Sequence, residues 1–114
     1  MNRQTILLVD DEEDIRLVLS VALTDMGYDV IAAENGKEAL RLFREKHPPI
    51  VITDIKMPDI DGVDLLRMIK EEDPDTEVVM ITGHGDMDVA IQSFQQEATD
   101  FITKPINVEN LENS

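Results

Sequence analysis

Ile6-Leu7-Leu8-Val9 runs without a break into Asp10-Asp11. Four consecutive apolar residues leave no polar face, so the run suits a strand buried on both sides, as in a parallel sheet covered by helices above and below. The same arrangement returns downstream. Ile50-Val51-Ile52-Thr53 stops at Asp54, Val78-Val79-Met80-Ile81 at Thr82-Gly83, and the shorter Asp100-Phe101-Ile102-Thr103 at Lys104-Pro105. Tyr28 to Ala33 reads as a further strand. Helical periods fill the gaps. Ile15, Val18, Leu19, Ala22, Leu23 and Met26 form one amphipathic face, with Gly27 placed to end the helix. Asn35-Gly36 predicts a turn before a second helix carrying Ala39, Leu40 and Phe43, which must stop ahead of Pro48-Pro49. Beyond a loop with Pro58 and Gly62, a third helix holds Leu65, Leu66 and Ile69 and ends near Asp73-Pro74. Asp86 can cap a fourth helix with Met87, Ala90, Ile91 and Phe94, and a last helix begins near Asn107 with Val108 and Leu111. Five strands alternating with helices predict an α/β fold with a doubly wound, five-stranded parallel sheet.

The composition narrows the function. The 114 residues fit one domain, and a hydrophobic fraction of 42 % supports a core, so high charge does not signal disorder. Twenty-five Asp and Glu against ten Lys and Arg give a net charge of −15. This argues against contact with nucleic acid, which needs a basic footprint, and against an anionic membrane surface. The lack of cysteine excludes a disulfide framework, an iron–sulfur cluster and a thiolate zinc site. The first apolar run is too short for a secretory signal, and no stretch approaches the ~20 apolar residues of a membrane span, so the expected location is the cytoplasm.

Parallel strands place their carboxyl ends at one rim of the sheet, where sites form in open α/β folds. Asp10, Asp11, Asp54, Thr82 and Lys104 all fall there. Each alone would be an ordinary turn residue, helix cap or solvated side chain; their shared rim is what points to chemistry. Carboxylates brought together repel one another and favour a cation, and all-oxygen ligands select a hard one such as Mg²⁺. Asp54 can then attack phosphorus to form an acyl phosphate. Mg²⁺ and Lys104 would neutralise the oxygens of the transferring group, and the Thr82 hydroxyl would bind one of them.

The stretches ILLVDDE (6–12), VITDIKMPDIDG (51–62), VVMITGHGD (78–86) and DFITKP (100–105) together resemble the receiver domain of bacterial two-component response regulators, over essentially the whole chain. The resemblance implies a flavodoxin-like strand order 2-1-3-4-5. It makes Asp54 the phosphorylated residue, with Asp11 and Asp54 as direct Mg²⁺ ligands, Asp10 acting through water, and the Lys56 backbone carbonyl completing the protein ligands. It has Lys104 contact the phosphoryl group, Thr82 serve as switch hydroxyl and Phe101 follow it. It also implies a cis Lys104-Pro105 peptide, which proline permits. The implied donor is a histidine kinase or histidine phosphotransfer protein. Transfer from phosphohistidine would switch the surface around the fourth helix and fifth strand. Phosphorylation and slow hydrolysis would be self-catalysed, making the domain a switch rather than an enzyme.

Two departures from the family pattern stand out. Glu97-Ala98 replaces the usual Gly-Ala ahead of the fifth strand, where a non-glycine residue at positive φ would cost about 1 kcal/mol. The last helix has room for under two turns, which predicts exposed apolar surface, with either marginal stability or self-association as a homodimer as the result, and a fragment of a longer signalling protein carrying an output domain.

Other residues receive plainer readings. His84 reads as a rim residue tuning donor access or dephosphorylation, His47 as a helix-end surface residue, and Met26 and Met87 as core. Glu12, Glu13 and Asp14 favour the amino end of the first helix through its dipole. The parent protein could be a DNA-binding regulator or a hybrid sensor kinase. A Mg²⁺-dependent phosphohydrolase would need a second acid two residues after its nucleophile, where Lys56 stands. A flavodoxin-like electron carrier would need a phosphate-cradling loop where Asp10-Asp11 stands.

Overall fold

The structure, a computed structural model, describes residues 4–55, 57, 59–82 and 100–103, and of Thr82 and residues 100–103 the backbone alone. The expected alternation of strands and helices is present as far as the fourth strand. The elements are β1 (Thr5–Val9), α1 (Glu13–Asp25), β2 (Asp29–Ala33), α2 (Gly36–Lys46), β3 (Ile50–Asp54), α3 (Gly62–Glu72), β4 (Glu77–Thr82) and β5 (Asp100–Thr103). The strands form one sheet in the order β2-β1-β3-β4-β5, and every neighbouring pair is parallel. This is the flavodoxin-like order that the resemblance implies. The chain leaves β1 toward one edge and returns on its other side as β3, so the switch in strand order lies between β1 and β3.

The continuous apolar runs are buried on both faces, with alternate residues serving opposite cores. Leu7, Val9, Val51, Val78 and Met80 pack with Ala39, Leu40 and Phe43 of α2 and with Leu65, Leu66 and Ile69 of α3. Ile6, Leu8, Ile52 and Ile81 point the other way, onto Leu19, Ala22 and Leu23 of α1. One fully buried leucine or isoleucine is worth roughly 1.5–3 kcal/mol, so these four-residue runs anchor the sheet.

The helix ends follow local chemistry. Past the C-cap Met26, Gly27 takes φ +98°, its N–H donating to the Thr24 carbonyl and that of Tyr28 to the Leu23 carbonyl. This pair of bonds closes the helix with a left-handed residue, which glycine adopts without a Cβ penalty. Asn35-Gly36 is not a separate turn. Asn35 is the N-cap of α2, accepting the Glu38 N–H at 2.8 Å, and Gly36 is its first residue. The dipeptide is a common turn signal, but a capping Asn serves as well, and the helical period that follows decides between them. Replacing Asn35 by alanine should cost about 1 kcal/mol, read as a lower urea midpoint with an unchanged m-value. Asp61 caps α3 in the same manner, accepting the Asp64 N–H at 2.8 Å. At the far end of α2, His47 is an exposed C-cap with φ 46°, as expected for a helix-end surface residue.

Two expectations are corrected. Val18 is not in the core: it is 50 % exposed, beside exposed Leu17 and Val21, because it lies on the flank of the α1 stripe and a helix on a sheet buries only a limited arc. Asp54 and Thr82 are the last residues of their strands rather than the residues after them, since the parallel ladder carries each strand one position further. The fourth helix from Asp86, Met87, Glu97-Ala98 and the last helix near Asn107 lie outside the described residues. Among the described residues no helix is long and apolar enough to cross a membrane.

Candidate functional site at the carboxyl ends of β1 and β3

Asp10 follows β1 directly and is fully buried. Its backbone N–H donates to the Ala33 carbonyl at 3.2 Å, carrying the β1–β2 ladder one residue past the strand. One carboxylate oxygen accepts the Glu12 N–H at 2.8 Å, and its carbonyl accepts the Arg16 guanidinium at 2.7 Å. The acid is thereby bonded on its backbone and its side chain, which fixes its orientation. Asp11, next in the chain, is exposed. Asp54 ends β3 and is 5 % exposed.

These elements bring the three acids together. One carboxylate oxygen from each of Asp10, Asp11 and Asp54 can be chosen so that all lie within 4.8 Å of one another. Like charges at that range oppose one another's ionisation, and a cation relieves the repulsion. The donors are hard oxygens, two buried and one facing solvent, which fits a hard divalent ion that keeps part of its water shell. The cluster can therefore hold a metal ion, as the rim reading expects.

The loop after Asp54 is held closely. The Gly62 N–H donates to the Ile55 carbonyl at 2.7 Å, closing the loop at its base. A Cβ at Gly62 would overlap the carbonyl oxygen of Asp54, so α3 starts in direct backbone contact with the end of β3. Within the loop, the Asp59 carboxylate accepts backbone N–H groups from Ile60 at 2.7 Å, from Gly36 at 3.1 Å and from Lys37 at 3.1 Å. The Ile60 N–H foremost, then those of Lys37 and Gly36, hold its carboxyl below the usual carboxylate range.

Of the residues singled out in the sequence, Asp10, Asp11 and Asp54 are thus gathered. Thr82 ends β4, one position beyond Ile81, which stands level with Asp54, and Thr82 pairs with Thr103 of β5. Its backbone is at the same rim. The Thr82 and Phe101 side chains, the Lys56 carbonyl, Lys104-Pro105 and His84 lie outside the described residues. Two contacts had no sequence signal: Arg16 on the Asp10 carbonyl, and Asp59 on the amino end of α2. A lone Arg or Asp on a polar stretch looks the same whether it is solvated or bonded across 22 residues.

The comparisons with known proteins agree with this geometry. The family model described as the response regulator receiver domain matches residues 6–114. The response regulator protein PilR of Pseudomonas aeruginosa is 42 % identical over 111 residues, covering 97 % of this chain and 25 % of that protein. The DNA-binding transcriptional regulator NtrC of Escherichia coli K12 is 38 % identical over 109 residues, covering 96 % of this chain and 23 % of that protein. A response regulator receiver domain protein from Clostridium thermocellum superposes with a TM-score of 0.92 at 38 % identity, over 96 % of this chain and 89 % of that one. The chain thus spans about a quarter of the length of these curated relatives. None of the three is a sensor kinase, so the hybrid-kinase reading gains no support. With its strand order, its acidic cluster beside the switch point and its match to the family over nearly the whole sequence, the chain belongs to the response regulator receiver domains of two-component signalling.

Proposed function

We propose that this domain accepts a phosphoryl group on Asp54 from a phosphohistidine of a partner kinase or phosphotransfer protein, in a step that requires Mg²⁺. The supporting observation is the position of Asp54: almost buried, at the end of a central strand, within a cluster of three carboxylates that can hold a cation. An Asp54 carboxylate oxygen forms the new bond to phosphorus as the N–P bond of the donor breaks. The released imidazole keeps the electron pair and takes up a proton. Asp10, Asp11 and Asp54 would hold Mg²⁺, with the Lys56 carbonyl as a further ligand and Asp10 acting through water. The ion supplies charge neutralisation for the transferring oxygens. Lys104 and the Thr82 hydroxyl would contact the same oxygens, with Phe101 following Thr82 as the switch and Lys104-Pro105 in the cis form.

In the parent protein, phosphorylation would act through an output domain. The relatives favour a DNA-binding regulator, with nucleic acid contacted by that domain and not by this one, whose net charge is −15. Self-association as a homodimer and a cytoplasmic location belong to the same proposal.

The test is direct. Incubation with Mg²⁺ and acetyl phosphate should add one phosphoryl group to the intact mass, and EDTA should prevent it. An equal yield in EDTA would overturn the metal requirement. Binding to the folded state alone also predicts a thermal shift. At ten times its dissociation constant Mg²⁺ should stabilise by about 1.4 kcal/mol and raise the melting temperature by roughly 5 °C or more. Asp11→Asn should shrink that rise, and an undiminished rise would place the ion elsewhere.

A further inference from the structure

We propose that Asp59 is a positioning residue for the metal and phosphoryl site, clamping the loop between β3 and α3 to the amino end of α2. The inference rests on the reading of Asp54 and its neighbours as a Mg²⁺ site. The loop from Ile55 to Gly62 leaves directly from Asp54 and returns onto it, because α3 begins against the Asp54 carbonyl. Any rocking of the loop is therefore felt at the backbone of Asp54.

At its base the loop is closed by the bond from Gly62 to Ile55. At its outer turn, the Asp59 carboxylate accepts hydrogen bonds from the backbone N–H groups of Gly36 and Lys37, 23 and 22 residues away in sequence. The third bond, from the N–H of Ile60, holds the carboxylate in the orientation that the other two need. Steric contact supports the clamp. A Cβ on Gly36 would sit 2.6 Å from the Ile60 Cβ and 2.8 Å from its carbonyl oxygen, so the loop and the helix start meet with no room for a side chain. The first turn of a helix offers N–H groups with no partner inside the helix, and the dipole there favours a carboxylate. Asp59 uses that docking point to hold a loop, whereas the Asn35 side chain caps the same helix by accepting the Glu38 N–H.

Without the clamp the loop samples more conformations, and metal binding must restrict them. Asp59→Ala should raise the Mg²⁺ dissociation constant about 3–10-fold, less than the 10–100-fold usual when a group bonded directly to a ligand is removed. Asp59→Asn keeps one acceptor but turns a donor toward the Lys37 N–H. It should fall between Asp59→Ala and wild type, and it provides the measurement should Asp59→Ala fold poorly. Asn35→Ala is the control for helix destabilisation alone. The experiment is an amide-resolved Mg²⁺ titration of the wild-type chain and the three variants, at a temperature where all are folded.

Weakened binding in the Asp59 variants with unchanged binding in Asn35→Ala supports the clamp. Wild-type affinity in both Asp59 variants, or an equal loss in Asn35→Ala, overturns it and leaves the metal site standing. A wild-type chain that binds no Mg²⁺ overturns the clamp together with the site reading.

Discussion

Asp54→Asn should take phosphorylation by acetyl phosphate from a single adduct per chain to none. Asparagine has nearly the shape of aspartate, so the strand end and its packing survive. What disappears is the anionic oxygen, and an amide is far too weak a nucleophile to attack phosphorus. The variant also removes one of the three carboxylates that lie within 4.8 Å, so metal affinity falls with it. Intact mass after incubation is the primary readout, and circular dichroism shows that the variant is folded. The wild-type adduct should be labile to hydroxylamine, as an acyl phosphate is and a phosphoserine is not. A hydroxylamine-stable adduct, or one that forms equally in Asp54→Asn, would remove Asp54 as the acceptor.

Gly62→Ala should be the most damaging single-methyl change at a described glycine. Gly62 is buried at the first position of α3. A Cβ there would overlap the Asp54 carbonyl oxygen, approach the Ile55 Cα at 2.8 Å and reach the Asp54 carbonyl carbon at 3.0 Å. The obstacles are backbone atoms at the end of a central strand, so no rotamer change relieves them. Overpacking of this kind costs about 3 kcal/mol, which should lower the melting temperature by roughly 10 °C or more. Gly36→Ala meets mainly the Ile60 side chain and carbonyl on a loop, which can shift, and should cost less. A Gly62→Ala protein with a wild-type urea midpoint would mean that the end of β3 yields easily, and the rigid backing of Asp54 would be wrong.

Most of the fold was legible because its signals are local. Ile6 to Val9 is apolar throughout, so both faces of that strand had to be covered, and the cores on either side of β1 follow. Gly27 and the boundary at Asp73 were readable for the same reason, since helix ends are set by a few neighbouring residues. Val18 was misplaced because hydrophobic periodicity reports which residues could be buried, while the width of the buried stripe depends on what the helix lies against. Asn35-Gly36 was misassigned as a turn because turns and N-caps draw on the same residue types.

The amino-acid sequence by itself determined the alternating architecture, the acids at the strand ends and the family to which they belong. Each depends on residue type and short-range spacing. Only the tertiary structure decided that Asp10, Asp11 and Asp54 converge within 4.8 Å. It alone placed Arg16 on the Asp10 carbonyl, Asp59 on the start of α2 and Gly62 against the Asp54 backbone. The links of Arg16 to Asp10 and of Gly62 to Asp54 close short loops, whereas the others join segments far apart in the chain; all form when the sheet sets its register and the helices settle on it. Spacing along the chain carries no trace of them, because the same residues in a solvated loop would read identically.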